Sequence, residues 1–233
     1  ICWVYPRNSA PAYPNFDGFA GLRNELDADF YLLQIAPANT VEGRLRNSAG
    51  EVFTVTATGL QLNTWQVIGL VYDGATLSVW INGVMVSSVA ASGTITNLTT
   101  PLLIGDVRYE TTDFFLNGRV DEVSLWRRAL SEEEMSCLLA VAATPGDPDI
   151  ALYFNCDQGT AGGDNTAQTS LLDYVGGNNG TLTGFTLTGA ASNYVQGAPF
   201  GVSVSDTFCP GGSYQFGDQV LTAPGVYTAS LPT

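Results

Sequence analysis

A loop rich in Asp, Asn and Gly has the residue types best suited to metal chemistry in this sequence. Asp173 is followed by Asn178 and Asn179, with glycines between and after them. Carboxylate and amide oxygens are the ligands that Ca²⁺ prefers, and the ion takes about six to eight of them. The loop therefore predicts a calcium site. The alternative is that these side chains are turn formers whose oxygens bind their own backbone.

A second set of residues has the chemistry of sugar recognition, in which aromatic rings and a few polar groups line the site. The aromatic residues that we place on loops are Tyr13, Phe16, Phe19 and Tyr109. Asp17 and Arg108 lie beside them and could bind sugar hydroxyls. We predict Asp17, Arg108 and Tyr109 as ligand-binding residues.

Catalytic chemistry is poorly represented. The chain has no His and no Lys, which excludes Ser-His-Asp and Cys-His mechanisms, His-bound zinc and Schiff bases. Glycoside hydrolysis needs two facing carboxyl groups about 5 to 9.5 Å apart. Asp121 and Glu122 are adjacent, so on a regular strand they point to opposite faces of the sheet. We predict that the protein is not an enzyme.

The charge and the apolar pattern exclude two classes of partner. The 22 acidic and 8 basic residues give a net charge of -14, which repels phosphate backbones and anionic lipid surfaces and favours divalent cations. The longest apolar run, Cys137–Ala143, is far shorter than the roughly 20 residues that span a bilayer. We predict neither nucleic-acid binding nor membrane insertion.

Four cysteines in an acidic, Lys-free chain rich in Thr and Gly suit an oxidising, extracellular setting. None of them forms a C-x-x-C pair, which argues against a metal or redox role. We favour a Cys137–Cys156 disulfide, since the two bracket a short connection, and Cys2–Cys209 by default. Free buried thiols are the alternative.

Most segments of the sequence alternate apolar and polar residues, which predicts that β-strands position the candidate site residues. Three apolar runs between Trp65 and Val89 are separated by Asp73-Gly74 and Asn82-Gly83, which predicts a three-stranded antiparallel meander with two-residue turns. Further strands are predicted over 29–36, 40–46, 51–57, 102–105 and 118–126, with Glu42, Arg44 and Arg46 on an open face. Residues 151–154, 181–188 and 213–216 also read as strands.

One segment has helical character. Ser131 and Glu134 form a capping box, followed by Met135, Leu138 and Leu139, so a short helix is predicted to begin there and to end near Ala143. The Pro-rich segment 144–148 marks a boundary, after which Arg and Glu are absent. We predict a core over 1–146, a segment over 147–200 that supplies further strands, and a small β appendage over 201–233.

These motifs together resemble the laminin-G-like, concanavalin A-like jelly-roll family. The residues that carry the resemblance, over roughly residues 1 to 140, are Val71-Tyr72-Asp73-Gly74, Val79-Trp80-Ile81-Asn82-Gly83, Leu103-Ile104-Gly105, Gly118-Arg119-Val120-Asp121-Glu122-Val123 and Leu125-Trp126-Arg127-Arg128-Ala129-Leu130-Ser131. The resemblance implies an all-β, two-sheet antiparallel jelly-roll sandwich with one short helix. It also implies a family that mostly binds sugars or proteins and often holds calcium, and it adds Asp121 as a partner of the calcium loop.

The order of the motifs departs from this family. The family's opening strand and loop resemble Ile150–Asn155 and Asp173–Thr181, which occur late here. Either the chain closes its own sandwich in permuted order, or these residues serve a neighbouring module. The last portion resembles the start of short β repeats of Bacteroidetes surface proteins.

The function predicted from these features is a non-catalytic, calcium-stabilised adhesion or carbohydrate-binding module, extracellular or on a cell surface, with a glycan or a protein as its ligand. The alternative is a structural subunit that associates with copies of itself into a filament by strand exchange. A glycoside hydrolase is the least favoured interpretation.

Overall fold

The computed structural model describes residues 1–24, 29–95, 100–199, 214–216 and 219–221. The chain divides into two compact units, Ile1–Gly201 and Val202–Thr233. The strands of the first unit are β1 (Cys2–Pro6), β2 (Asp17–Arg23), β3 (Asp29–Ile35), β4 (Thr40–Arg46), β5 (Val52–Thr58), β6 (Gln66–Tyr72), β7 (Thr76–Ile81), β8 (Val84–Ala90), β9 (Leu103–Ile104), β10 (Arg108–Tyr109), β11 (Thr112–Asp113), β12 (Gly118–Asp121), β13 (Val123–Trp126), β14 (Ile150–Phe154), β15 (Ser170–Leu171) and β16 (Gly180–Thr181). The helix α1 spans Glu132–Cys137. In the second unit β17 (Tyr214–Phe216) and β18 (Gln219–Leu221) form an antiparallel hairpin, and the rest of the predicted appendage lies outside the described residues.

The first sheet is antiparallel and has the strand order β12-β1-β6-β7-β8. It contains the predicted meander. Asn82 (φ 51°) and Gly83 (φ 76°) form the predicted two-residue turn, in which both residues need positive φ. The connection at Asp73 is longer, since β7 begins only at Thr76. There Asp73 Oδ1 accepts hydrogen bonds from the amides of Ala75 and Thr76 at 2.9 and 2.7 Å.

The second sheet has the order β5-β4-β3-β2-β9 and packs face to face on the first across the main hydrophobic core. Leu32, Val41 and Leu45 of this sheet share that core with Ile68 and Val79 of the first sheet. Gly43 lets the two sheets pack closely, since a Cβ atom there would lie 2.4 Å from Leu70 Cδ1. The predicted two-sheet antiparallel sandwich is confirmed.

The capping box at the start of α1 is present as predicted. Ser131 Oγ accepts a hydrogen bond from the Glu134 amide at 3.3 Å, and the Glu134 carboxylate accepts one from the Ser131 amide at 2.8 Å. The helix ends at Cys137 rather than near Ala143, and the amides of Leu139 and Ala140 bond to carbonyls three residues back, those of Ser136 at 3.2 Å and Cys137 at 2.9 Å. Among the described residues no helix is long and apolar enough to cross a membrane.

The predicted strand 118–126 is divided in two. Glu122 has a positive φ of 50° between β12, which pairs with β1, and β13, which pairs with β14. Because the regular alternation stops at this residue, the prediction that Asp121 and Glu122 point to opposite faces of one strand is wrong. Ile150–Phe154 pairs with β13 of the same chain, while the predicted strand over 181–188 is reduced to β16, which pairs with β15.

The predicted Cys137–Cys156 disulfide is not formed, and both thiols are free. Cys137 is exposed at the end of α1, whereas Cys156 packs against the main core, with its Sγ 3.8 Å from the carbonyl oxygen of Phe154. The short connection between them leads from the surface to the interior, so nearness in sequence does not bring the thiols together. Cys2 is buried and free, and its predicted partner Cys209 lies outside the described residues.

Candidate functional site

The face of the second sheet that points away from the main core, here called the outer face, carries the chemically most varied side chains. Strand alternation places Tyr31 of β3 opposite Arg44 of β4, and Leu33 opposite Glu42. The neighbours Leu32 and Leu45 point inward to the main core. The predicted open face of β4 is therefore present.

Part of the outer face is covered by a small second core, the outer cluster, formed by Tyr31, Leu33, Val107 and Phe114. Val107 and Phe114 flank the β10–β11 hairpin and bond to each other, with the Phe114 amide donating to the Val107 carbonyl at 3.2 Å. Gly18 lets this hairpin approach β2, since a Cβ atom there would lie 2.2 Å from the Val107 amide nitrogen. The hairpin consequently forms one wall beside the uncovered part of the sheet.

An open groove of about 430 Å³, the outer groove, lies between this wall and β4. This volume is within the range of about 300 to 1,000 Å³ that is usual for small-ligand sites. The aromatic residues that line it are Tyr13, Phe16, Tyr31, Tyr109 and Phe114. The charged residues that line it are Arg23, Glu42, Arg44 and Arg46.

The aromatic side of the outer groove presents one largely exposed ring. Tyr13 is 61% exposed, and its ring meets those of Phe16 and Phe114 edge to face, with centroids 6.2 Å apart in both pairs. Such contacts orient an aromatic side chain without covering its outer face. Tyr13 therefore offers a fixed apolar surface at the edge of the groove.

The charged side is held by ion pairs and ring contacts. Tyr31 Oη donates to Glu42 Oε1 at 3.1 Å, and Arg44 Nη2 lies 3.4 Å from the same oxygen. Burial and the Glu42 carboxylate raise the pKa of Tyr31, so its hydroxyl remains a donor. The Arg23 guanidinium carbon lies 4.3 Å from the Tyr109 ring centroid and 5.1 Å from that of Tyr31. These contacts fix the positions of the polar groups.

Only one of the three predicted ligand-binding residues lines the outer groove, namely Tyr109. Arg108 is not among the lining residues, and its Nε pairs with Asp113 Oδ1 at 2.5 Å. Asp17 is a buried strand residue whose Oδ1 accepts from Asn8 Nδ2 at 3.1 Å, and burial raises its pKa. Phe19, which we expected on a loop, is fully buried in the main core.

The Asp173 loop has the hydrogen bonds of a turn. Asp173 Oδ1 accepts from the amides of Tyr153 and Val175, at 3.0 and 3.1 Å, and its Oδ2 accepts from those of Gly176 and Asn178, both at 3.0 Å. Burial opposes ionisation, but these donors outweigh it and lower the pKa of the carboxyl. Asn179 Oδ1 accepts from the Asp173 amide at 3.0 Å. Since its oxygens are already engaged, Asp173 does not fit the role of a calcium ligand in this arrangement.

Asp121 lies in a different environment from this loop. Its Oδ1 accepts from the Glu122 amide at 3.0 Å and its Oδ2 from the Ala198 amide at 2.8 Å. Burial, together with the nearby Asp157, raises its pKa to about 6. Over the described ranges no group of three or more His, Cys, Asp or Glu residues is arranged to hold a metal ion. Calcium binding by Asp121, Asp173, Asn178 and Asn179 stays a prediction.

The arrangement of the outer groove suits binding better than bond cleavage. Glu42 is the single carboxylate in its described lining, whereas glycoside hydrolysis uses a facing pair. The nearby Asp29 is fully buried and is bound by Arg46 Nε at 2.9 Å. The groove thus combines an aromatic surface with hydrogen-bonding and cationic groups.

Fold and sequence together define the class of the protein as a two-sheet antiparallel β-sandwich of lectin type. Residues 1–136 match the family model of the concanavalin A-like lectin/glucanases superfamily, and this is more than half of the chain. The chain belongs to this family, as its motifs indicate. No curated protein sequence matches it.

Several solved structures are similar to this chain. A candidate carbohydrate binding protein from Bacteroides ovatus matches with a TM-score of 0.51 and 19% identity, over 77% of this chain and 55% of that one. The chain thus spans about half the length of that relative. The CBM40 of the Ruminococcus gnavus IT-sialidase matches with a TM-score of 0.45 and 17% identity, over 59% of this chain and 79% of that one. The SAP-like pentraxin from Limulus polyphemus matches with a TM-score of 0.44 and 13% identity, over 62% and 68%. At 19% identity the likeness to the Bacteroides ovatus structure shows the fold alone.

Proposed function

We propose that the protein is a non-catalytic carbohydrate-binding module that holds a glycan in the outer groove. One observation carries this proposal, namely that an exposed, fixed Tyr13 ring and the polar groups of Glu42 and Arg44 line the same open groove. A sugar has apolar ring faces and many hydroxyls, so it needs both kinds of surface at once. Tyr13 supplies the first kind, and β4 supplies the second.

The comparisons support this proposal without deciding it. The chain belongs to a family of lectin-like and glucanase-like folds, and the Bacteroides ovatus relative is described as a candidate carbohydrate binding protein. Of the two activities that this family name covers, the single carboxylate in the groove lining favours binding. An extracellular or cell-surface location, where glycans are displayed, is part of the same proposal.

Binding to a glycan array by the purified protein tests the proposal. We expect binding to a limited set of glycans, and we expect Tyr13→Ala to abolish it because the stacking surface is removed. Phe185→Ala is the matched control, since Phe185 is also a half-exposed aromatic residue but does not line the groove. An array without signal, or equal binding by wild type and Tyr13→Ala, would contradict the proposal.

Self-association of copies through β8 is a second candidate function. β8 is an edge of the first sheet, its residues Val84, Met85 and Val86 are exposed, and its sequence VMVSSVA has no charged residue and no Pro. Edge strands normally carry charged residues or Pro, which prevent pairing with other chains. Sedimentation velocity and electron microscopy test this candidate, with Val86→Lys expected to dissolve any assembly. A monomer at high protein concentration would eliminate it.

A further inference from the structure

The outer groove is cationic although the chain is strongly acidic. Three of the eight basic residues line it, Arg23, Arg44 and Arg46, and they meet one lining carboxylate, that of Glu42. The overall charge of -14 acts on a ligand mainly over long distances, where salt screens it beyond about 8 Å. At short range the three guanidinium groups, one of which is paired with the buried Asp29, outnumber the carboxylates of Glu42 and Asp29 among the described residues.

Arg44 has unused hydrogen-bonding capacity. Its Nε is buried without a hydrogen-bond partner, and it donates no hydrogen bond to any described residue. Its contact with Glu42 is an ion pair at 3.4 Å, and that carboxylate already accepts from Tyr31. A guanidinium group presents its donors as a planar fork that matches two oxygens of a carboxylate or a sulfate.

The other two guanidinium groups are positioned to support such an anion. Arg46 is anchored through its Nε to Asp29 at 2.9 Å, and Arg23 lies over the rings of Tyr31 and Tyr109. Arg44 also lies over the Tyr31 ring, with its guanidinium carbon 5.6 Å from the ring centroid. Anchored cations keep their charge in the groove, so a bound anion does not have to order them.

We propose that the outer groove selects saccharides that carry an anionic group, a carboxylate or a sulfate, and that Arg44 is its main contact. This inference rests on the proposed function, because it names the class of glycan that the same groove binds. Hydrogen bonds to charged groups are stronger than those between neutral groups, and their loss lowers affinity by about tenfold or more.

Matched saccharide pairs test the inference by isothermal titration calorimetry at low and high salt. The first pair is tetragalacturonate and its fully methyl-esterified form, which have the same rings with and without carboxylates. The second pair is a κ-carrageenan tetrasaccharide and its desulfated form. We expect the anionic member of at least one pair to bind about tenfold more tightly than its neutral counterpart, and its affinity to fall at high salt. The pair that shows this preference identifies the recognised group as a carboxylate or a sulfate.

Three variants locate the effect. Arg44→Gln is expected to lower affinity for the anionic member about tenfold and to weaken the neutral member much less, because only the anionic member loses a charge-assisted hydrogen bond. Glu42→Gln removes the lone carboxylate but retains an oxygen for Tyr31, and we expect it to raise affinity for the anion severalfold, a gain that misfolding cannot produce. Arg7→Gln is the control, because Arg7 is exposed and lies over the Tyr5 ring instead.

The possible failures are distinguishable. If neutral and anionic members bind equally and Tyr13→Ala abolishes both, the inference is overturned and the proposed function stands. If none of the four saccharides binds although neutral glycans bind on the array, the inference is overturned and the proposed function stands; an array without signal contradicts both. An anionic preference that Arg44→Gln and Glu42→Gln leave unchanged also overturns the inference.

Discussion

A buried carboxyl group should make the stability of this protein fall between about pH 5 and pH 8. Glu122 is only 8% exposed, and its pKa is raised from 4.5 to about 7. Burial is the main cause, Asp121 and Asp157 add repulsion, and the hydrogen bond from the Tyr153 hydroxyl partly offsets both. The folded protein therefore holds a proton that the unfolded chain has lost. The stability contributed by this proton is complete below about pH 4.5 and is lost as the pH rises through 7.

The size of the effect follows from the two pKa values. A rise from 4.5 to about 7 corresponds to at most about 3 kcal/mol of unfolding free energy well above pH 7. Glu122→Gln removes the charge and keeps a side-chain oxygen that can accept from Tyr153. We expect the variant to match the wild type near pH 5 and to be more stable, by up to about 3 kcal/mol, at pH 8.5.

Urea denaturation in calcium-free buffer at pH 5.0, 6.5 and 8.5 measures this difference. The chain has no His, and Asp121, whose pKa is raised to about 6, also titrates in this interval but is present in both proteins. The buried Ile1 ammonium group has a lowered pKa and acts with the opposite sign, but it cancels when variant and wild type are compared. Glu110→Gln, at an exposed carboxyl, is the control. A gain that does not depend on pH, or a variant less stable than wild type at pH 8.5, would refute the reasoning.

The remaining predictions concern thiols, packing and capping. In the native protein Cys137 should react with a thiol reagent, whereas Cys2 and Cys156 should react only after unfolding. Burial raises the pKa of Cys2 to about 11 and also raises the pKa of Cys156. Labelling followed by peptide mapping checks this, and a protected Cys137 would contradict it. Gly43→Ala should lower stability by about 1 to 3 kcal/mol in thermal denaturation, because the added methyl group would meet Leu70 of the facing sheet; a neutral effect would contradict the packing. Ser131→Ala should cost about 1 kcal/mol through the lost helix cap, measured by urea denaturation, and unchanged stability would show that the cap is dispensable.

The parts of the fold that depend on residues close together in the sequence could be predicted. Alternation and the Asn82-Gly83 turn fix the meander, and Ser131 with Glu134 fixes the start of the helix. β2 was not predicted, because its glycines hide the pattern of a strand. Gly18 is required there by the close approach of Val107, which is a contact between residues distant in the chain. For the same reason Phe19 was assigned to a loop although it is a core residue.

The site could be predicted only in part. The open face of β4 with Glu42, Arg44 and Arg46 was visible as alternation, and Tyr109 lines the groove that we propose as the ligand site. Nothing local in the sequence shows that β10 and the outer face meet, since their contact depends on the order of strands in the sheet. Sequence spacing likewise favoured a Cys137–Cys156 bond that the fold does not form.

The central claim is that the outer groove is the glycan site. A crystal structure of the protein with a saccharide selected on the array tests it most directly. The account predicts a sugar ring against Tyr13, with polar groups of the ligand within hydrogen-bonding distance of Arg44 and Glu42. A saccharide bound at the loops that follow β14, with no density in the outer groove, would contradict it.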